Sequence, residues 1–220
     1  MYNITLVCTR HKELGKCNSD ELYKIIQSMR PDVIFEEMSP DLFDRVYKEN
    51  QFSEESWSPE AKSIKRYLQI YDIKHFPVDI DIAENVSVSD FNRMNSKFAK
   101  YDVYNKLLHE DRLMTMQEGF SYLNSKESEK MTEKMRITEK KLIESMTNQS
   151  WLINFYKLVY EEFDNRENKI IENIYNYSKE NQYNQALLLI GAGHRKSIIE
   201  KIENYKKQEN IKLNWTFYGD

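Results

Sequence analysis

Hydrophobic and polar positions alternate in blocks along the chain, and these blocks predict an α/β fold. Residues 4–8 form an apolar, β-branched run that ends in polar residues 9–12, as expected for a buried strand that leads into a loop. Leu22, Ile25, Ile26 and Met29 then recur at the spacing of one helical face, and Pro31 follows them. Residues 32–38 return to an extended pattern. The order strand, helix, strand predicts a parallel crossover.

The crossover places the ends of the first two strands at one edge of the sheet, because parallel strands point the same way. His11 and Glu37 should therefore share that edge. Side chains alternate along a strand, so only one of the neighbouring carboxylates of Glu36 and Glu37 can face a given pocket. We expect it to be Glu37, which is nearer to the strand end.

The rest of the chain predicts more α/β structure around a long helical segment. Ser39-Pro40 and Ser58-Pro59 are typical helix starts, and residues 73–78 predict a third strand that ends at Asp79. Residues 89–182 contain no proline and one glycine, a composition typical of long helices. Within them, Asp164 is a candidate cap for a separate helix. The pattern is then completed by an apolar strand at residues 186–190, a helix through Gln208 and an edge strand at residues 213–218.

These elements predict a mostly parallel sheet flanked by helices, with a large helical insertion before the last strands. In this division, residues 1–88 and 185–220 form the α/β core. Residues 89–184 form the insertion and cover the carboxyl ends of the strands, where ligands bind in open α/β sheets.

Composition and charge disfavour several classes of partner. Acidic and basic side chains nearly balance, with a formal net charge of −4, so no nucleic-acid partner is expected. No apolar stretch approaches the ~20 residues of a membrane-spanning helix, and the first residues do not resemble a secretion signal. Two cysteines, Cys8 and Cys17, are too few for a disulfide framework. We expect a cytoplasmic protein without a membrane partner.

Polar residues collect at the predicted strand ends, and their types suggest chemistry. Two histidines, His11 and His194, and the carboxylate of Glu37 could hold Zn²⁺ or Mn²⁺ and activate a bound water. Without a metal, one histidine could act as a general base that a carboxylate orients. The glycines of Gly191-Ala192-Gly193 leave backbone amides free near a helix start, which suits an oxyanion or an anionic ligand.

Three segments in this order resemble the Tiki/TraB superfamily, which includes erythromycin-esterase-like and ChaN-like branches. The segments are Thr9-Arg10-His11, residues 31–40 with Glu36-Glu37, and Gly191-Ala192-Gly193-His194. The superfamily has two Gly-x-x-His motifs, a glutamate at the end of the second strand and an arginine in the helical region. The resemblance, carried over position by position, implies the site residues His11, Glu37, Arg166 and His194.

The resemblance also implies a cofactor. A divalent metal, Mn²⁺, Co²⁺ or Zn²⁺, is expected at His11, Glu37 and His194. The first motif departs from the family, since Cys8 stands where the family has glycine; its thiol is a further candidate ligand. Supporting residues around the site are expected to be Glu36, Asp79 and Arg10.

The leading hypothesis is a hydrolase resembling Tiki-type metallopeptidases. Its metal would activate water to cleave a peptide, or a related amide or ester, while Arg166 binds the substrate or the developing negative charge. One alternative is a metal-independent, erythromycin-esterase-like hydrolase in which His11 or His194 is the base. The other is a non-catalytic protein that binds haem or a peptide.

Overall fold

The computed structural model describes residues 2–49, 51–83, 86–146 and 150–220. Within them the strands form one sheet in which all neighbours are parallel. The strands are β1 (Tyr2–Thr9), β2 (Val33–Glu36), β3 (Lys74–Pro77), β4 (Gln185–Gly191) and β5 (Leu213–Phe217), in the spatial order β3-β2-β4-β1-β5. The predicted α/β class is confirmed, and β5 is an edge strand as expected.

Helices connect these strands. They are α1 (Ser19–Met29), α2 (Pro40–Phe43), α3 (Pro59–Leu68), α4 (Val88–Phe98), α5 (Asp102–Glu118), α6 (Phe120–Leu123), α7 (Lys126–Ser145), α8 (Ser150–Glu180) and α9 (Arg195–Gln208). A π-helical turn at Asp44–Lys48 and 3-10 turns at Glu54–Ser56 and Ala192–His194 complete the list. Ser39 and Ser58 cap α2 and α3 as predicted, and Asn18 caps α1.

The connections leave the sheet in two directions. From β1 the chain moves through α1 to β2 and then through α3 to β3, whereas from β4 it moves through α9 to β5 on the other side. When two right-handed crossovers run in opposite directions along a sheet, their helices lie on opposite faces of the sheet. In agreement, α1 packs on α3, and α8 packs on α9. The chain therefore diverges after β1 and β4, which are neighbours, and this divergence opens a crevice at their carboxyl ends.

Helix α8 joins two apolar clusters. Its second half contributes Ile170, Ile171 and Ile174 to the core around the sheet. Its first half packs Leu152 and Val159 into a cluster formed with α4, α5 and α7. The residue limits predicted for a separate helical insertion stay a prediction, since one helix belongs to both clusters.

The predicted helix start at Asp164 is wrong. Helix α8 runs without a break from Ser150 to Glu180, because this stretch contains no proline or glycine that would stop it. Asp164 lies inside the helix, and its carboxylate accepts a hydrogen bond from Lys201 Nζ at 2.6 Å. None of the helices in the described part of the chain is both long and apolar enough to span a membrane.

Candidate functional site

Three strand ends meet in the crevice, and Gly191 lies at their centre. An added Cβ atom at Gly191 would lie 3.3 Å from Glu37 Oε2 and 3.7 Å from both His11 Nε2 and His194 Cδ2. In the structure, the predicted residues His11, Glu37 and His194 therefore surround one small space. Strand pairing explains this, because Thr9 is the register partner of Gly191, and Glu36 pairs with Leu189.

The Glu37 carboxylate is buried and fully engaged. Its Oε2 atom accepts a hydrogen bond from the backbone N–H of Gly191 at 2.6 Å. Its Oε1 atom lies 3.3 Å from Arg166 Nη2 and 3.5 Å from His194 Nε2. The Gly191 amide, which the sequence made a candidate for binding an oxyanion, thus binds a carboxylate of the protein.

Arg166 links Glu37 to Asp79. Its Nε donates to both Asp79 oxygens at 3.1 and 3.2 Å, and its Nη2 is bonded to Asp79 and Glu37. These contacts use Nε and Nη2, and no hydrogen bond within the described residues involves Nη1. Asp79 and Glu37 are both buried. The single guanidinium lies between the two carboxylates, which would otherwise repel each other, and its one charge compensates one of their two.

His194 is held by a carboxylate that the sequence did not predict. Its Nδ1 lies 2.6 Å from Glu167 Oε1, and Phe163 packs edge-on against the ring. The other oxygen of Glu167 binds Ser197 and, at 3.0 Å, Lys201 Nζ. The contact with Glu167 directs His194 Nε2 into the crevice towards Glu37.

The charges around His194 favour its protonated form. Burial lowers the pKa of His194, but the negative charges of Glu37 and Glu167 outweigh burial, so its pKa lies above the usual value. Burial also disfavours the charged form of Glu167 and so raises its pKa. The contacts with His194, Ser197 and Lys201 outweigh burial and lower the pKa of Glu167 to about 2. Both shifts favour the pairing of a protonated His194 with an ionised Glu167.

His11 faces a second unpredicted carboxylate, that of Glu60 at the start of α3. Its Nδ1 lies 3.3 Å from Glu60 Oε1, and this neighbour raises the pKa of His11 to about 9. Both Glu60 oxygens are shielded from solvent and make no hydrogen bond within the described residues. The ion pair with His11 is therefore what compensates the burial of Glu60.

Arg10 and Glu36 have partners of their own. Arg10 Nη1 is 3.8 Å from Asp111. Glu36 faces away from Glu37, as the strand alternation predicts, and binds Tyr47 at 2.8 Å and His75 at 2.6 Å.

Cys8 does not present its thiol to the centre. It is completely buried, it lies beside Arg195, and burial raises the pKa of its thiol to about 12. Since metals bind the thiolate, this protonated side chain is a poor ligand. Cys8 pairs in register with Ile190 and not with Gly191, so its side chain and that of Thr9 lie on opposite faces of the sheet.

The donor atoms, as arranged, do not fit the predicted metal. Both Glu37 oxygens have partners, and the Arg166 guanidinium occupies the place of a cation beside Oε1. Among the described residues, no group of three or more His, Cys, Asp or Glu side chains is positioned to hold a metal ion. The divalent metal stays a prediction.

Two cavities reach this centre from different sides. The first, of about 640 Å³, lies between β2 and α3 and is lined in part by Glu37 and Arg166. The second, of about 390 Å³, lies under α5 and α7 and is lined in part by Gly191 and His194. Both include Thr9 and His11. The Glu37–His194 contact therefore lies where the two cavities adjoin.

Glu60 and Glu167 are the site residues that sequence reasoning missed. A glutamate in a first helical turn, such as Glu60, is ordinarily explained by the helix dipole, and Glu167 stands in a helix rich in charged residues. Neither position carries a sequence signal that would have identified it, because both partners are distant in the chain.

Comparison with models of protein families, with curated proteins and with solved structures found no match. The resemblance to the Tiki/TraB superfamily therefore stays a prediction.

Alanine at position 191 is expected to lower activity of the site by at least about tenfold with little loss of stability. Its Cβ would press on Glu37 Oε2 at 3.3 Å, and misplacing a reacting group by a fraction of an ångström is costly to a reaction. Gly193→Ala is the matched control, since a Cβ there meets nothing within 4 Å. Turnover and melting temperature of both variants test this. Equal turnover by the Gly191→Ala and Gly193→Ala variants would contradict the close packing at Gly191.

Proposed function

We propose that this protein is a hydrolase in which the His194 imidazole activates water to cleave an ester or amide bond, with a peptide among the candidate amides. The observation that carries the proposal is the placement of His194: Glu167 holds Nδ1 at 2.6 Å, while Nε2 faces Glu37 and the crevice. A carboxylate that orients a histidine in this way is a recurrent arrangement for general-base catalysis.

The His194 Nε2 to Glu37 Oε1 distance of 3.5 Å is longer than a hydrogen bond, so Nε2 is available to a water molecule. In the proposed reaction, Nε2 takes a proton from water while the water oxygen bonds to the substrate carbonyl carbon. Arg166 Nη1 stabilises the negative charge that develops on the carbonyl oxygen. The bond to the leaving group then breaks, and the proton on His194 passes to the leaving oxygen or nitrogen.

The first experiment is a search for turnover with purified protein. Esters of p-nitrophenol and fluorogenic peptide amides would be tested with a chelator and, separately, with added Mn²⁺, Co²⁺ or Zn²⁺. Hydrolysis that resists the chelator supports the proposed mechanism, whereas activity that needs an added ion supports the metal-dependent hydrolase expected from the resemblance. No turnover above the His194→Ala background in any condition would overturn the proposal.

The acid limb of the pH profile is expected to reflect His194. A general base must be unprotonated, and the pKa of His194 lies above its usual value because Glu37 and Glu167 favour the charged form. Activity should therefore rise with pH through an apparent pKa above about 6.5. In Glu167→Gln this limb should move to lower pH, since one negative neighbour is gone. The pH dependence of kcat/KM measures it.

Glu161→Gln serves as the control for the pH profile, because Glu161 is an exposed residue of the same helix. It should leave the acid limb in place. An unmoved limb in Glu167→Gln, with the variant folded, would show that another group is the base.

A further inference from the structure

The two cavities differ in the groups that they bring to the reaction centre. Arg166 lines only the first cavity, and His194 lines only the second. A substrate whose scissile bond lies between Glu37 and His194 would therefore extend into both. The substrate class can be inferred from this division, and the inference rests on the proposed hydrolase function.

The proposed chemistry orients the substrate across the centre. Arg166 Nη1 stabilises the carbonyl oxygen, so the acyl part lies on the first-cavity side. His194 returns its proton to the leaving group, so the alcohol or amine part lies on the second-cavity side. Each half of the substrate is thus matched with one cavity.

The first cavity is large and has an apolar wall. Its volume of about 640 Å³ is within the range of small-molecule sites. The apolar wall includes Leu42, Val46, Phe52, Trp57, Ile80 and Ile82. Trp57 is buried, whereas Leu42 and Ile82 are exposed at 38% and 48%. Two apolar side chains that solvent reaches beside an aromatic interior suit an apolar ligand group.

The charges that line the first cavity are unfavourable to an anionic ligand. Arg166 is neutralised by Glu37 and Asp79, and His11 is neutralised by Glu60. Asp81, which is exposed, has no ion pair within the described residues. Arg45, the remaining basic residue of this lining, lies 3.7 Å from Asp41. Each described cation of the cavity therefore has a carboxylate beside it, and the six acidic residues of the lining outnumber the cations.

We infer that the substrate is an ester or amide with an apolar, uncharged acyl group, and that this acyl group binds in the first cavity. Glu37 and Arg166 form the inner end of this acyl site, and Leu42 lies on its apolar wall. The second cavity takes the leaving group.

Hydrolysis of matched p-nitrophenyl esters tests the inference. The butyrate and the hemisuccinate carry four-carbon acyl groups that differ in a terminal carboxylate, and the butyrate should have a kcat/KM at least about tenfold higher, the scale on which apolar pockets discriminate. Phenylacetate should exceed acetate by a similar factor. Leu42→Asp should lower kcat/KM for phenylacetate about tenfold and bring the ratio of phenylacetate to acetate close to one.

Leu113→Asp is the matched control, because Leu113 is exposed at 39% and lines neither cavity. This variant should change kcat/KM for neither phenylacetate nor acetate. Equal rates for butyrate and hemisuccinate, or a phenylacetate rate that Leu42→Asp leaves unchanged, would overturn the acyl site while the hydrolase function stands. An absence of turnover with every ester and peptide amide would overturn both.

Discussion

His194→Ala is expected to lower kcat/KM by roughly 10²–10⁴-fold, the usual contribution of a positioned general acid–base group. The fold should persist. Glu167 keeps Lys201 at 3.0 Å and its bond to Ser197 after the histidine is removed, so no buried carboxylate is left without a partner. Steady-state kinetics and circular dichroism measure the two effects separately.

His109→Ala is the matched control for this prediction. His109 is an exposed residue of α5 that lines neither cavity, and its replacement should change neither rate nor fold. His194→Gln provides a second variant of similar size. Retained activity in both folded His194 variants would remove His194 from the mechanism.

Arg166→Met is expected to lower the free energy of unfolding by about 3–5 kcal/mol, since breaking a buried ion pair leaves uncompensated charge. The substitution removes the ion-pair partner of two buried carboxylates, since Asp79 and Glu37 both contact this guanidinium. Urea denaturation measures it. Adding Asp79→Asn to Arg166→Met should recover part of the loss, since one of the two unpaired charges is then absent.

Arg112→Met is the control for the stability prediction. Arg112 is exposed on α5, and surface substitutions of this kind usually change stability by less than about 0.5 kcal/mol. A stability loss in Arg166→Met no greater than in Arg112→Met would contradict the central role of Arg166 in neutralising the site.

The proposed mechanism differs from the leading sequence hypothesis in its source of positive charge. The sequence predicts a divalent ion at His11, Glu37 and His194, whereas the structure places Arg166 against Glu37 and ion-pairs each histidine with its own carboxylate. Protonated histidines do not bind metals. Metal binding would therefore require the site to release protons, and the chelator experiment is sensitive to this difference.

Much of the fold could be predicted from local pattern. Apolar runs, capping serines at Ser39 and Ser58, and the direction of parallel crossovers act over short distances, and they identified the strands that meet at the site. The α8 helix shows the limit of this reasoning. Asp164 has the chemistry of a cap, but nothing in the surrounding sequence stops the helix, so local propensity carries it through.

Local pattern was enough to predict that His11, Glu37 and His194 follow strands whose ends share an edge, because crossover direction and side-chain alternation can be read from short segments of the chain. Which charges face one another depends on the folded chain. Glu60 and Glu167 reach His11 and His194 from distant helices, and Arg166 joins Asp79 to Glu37 across the crevice. Burial and distance set the strength of these ion pairs, and neither quantity exists until the chain has folded.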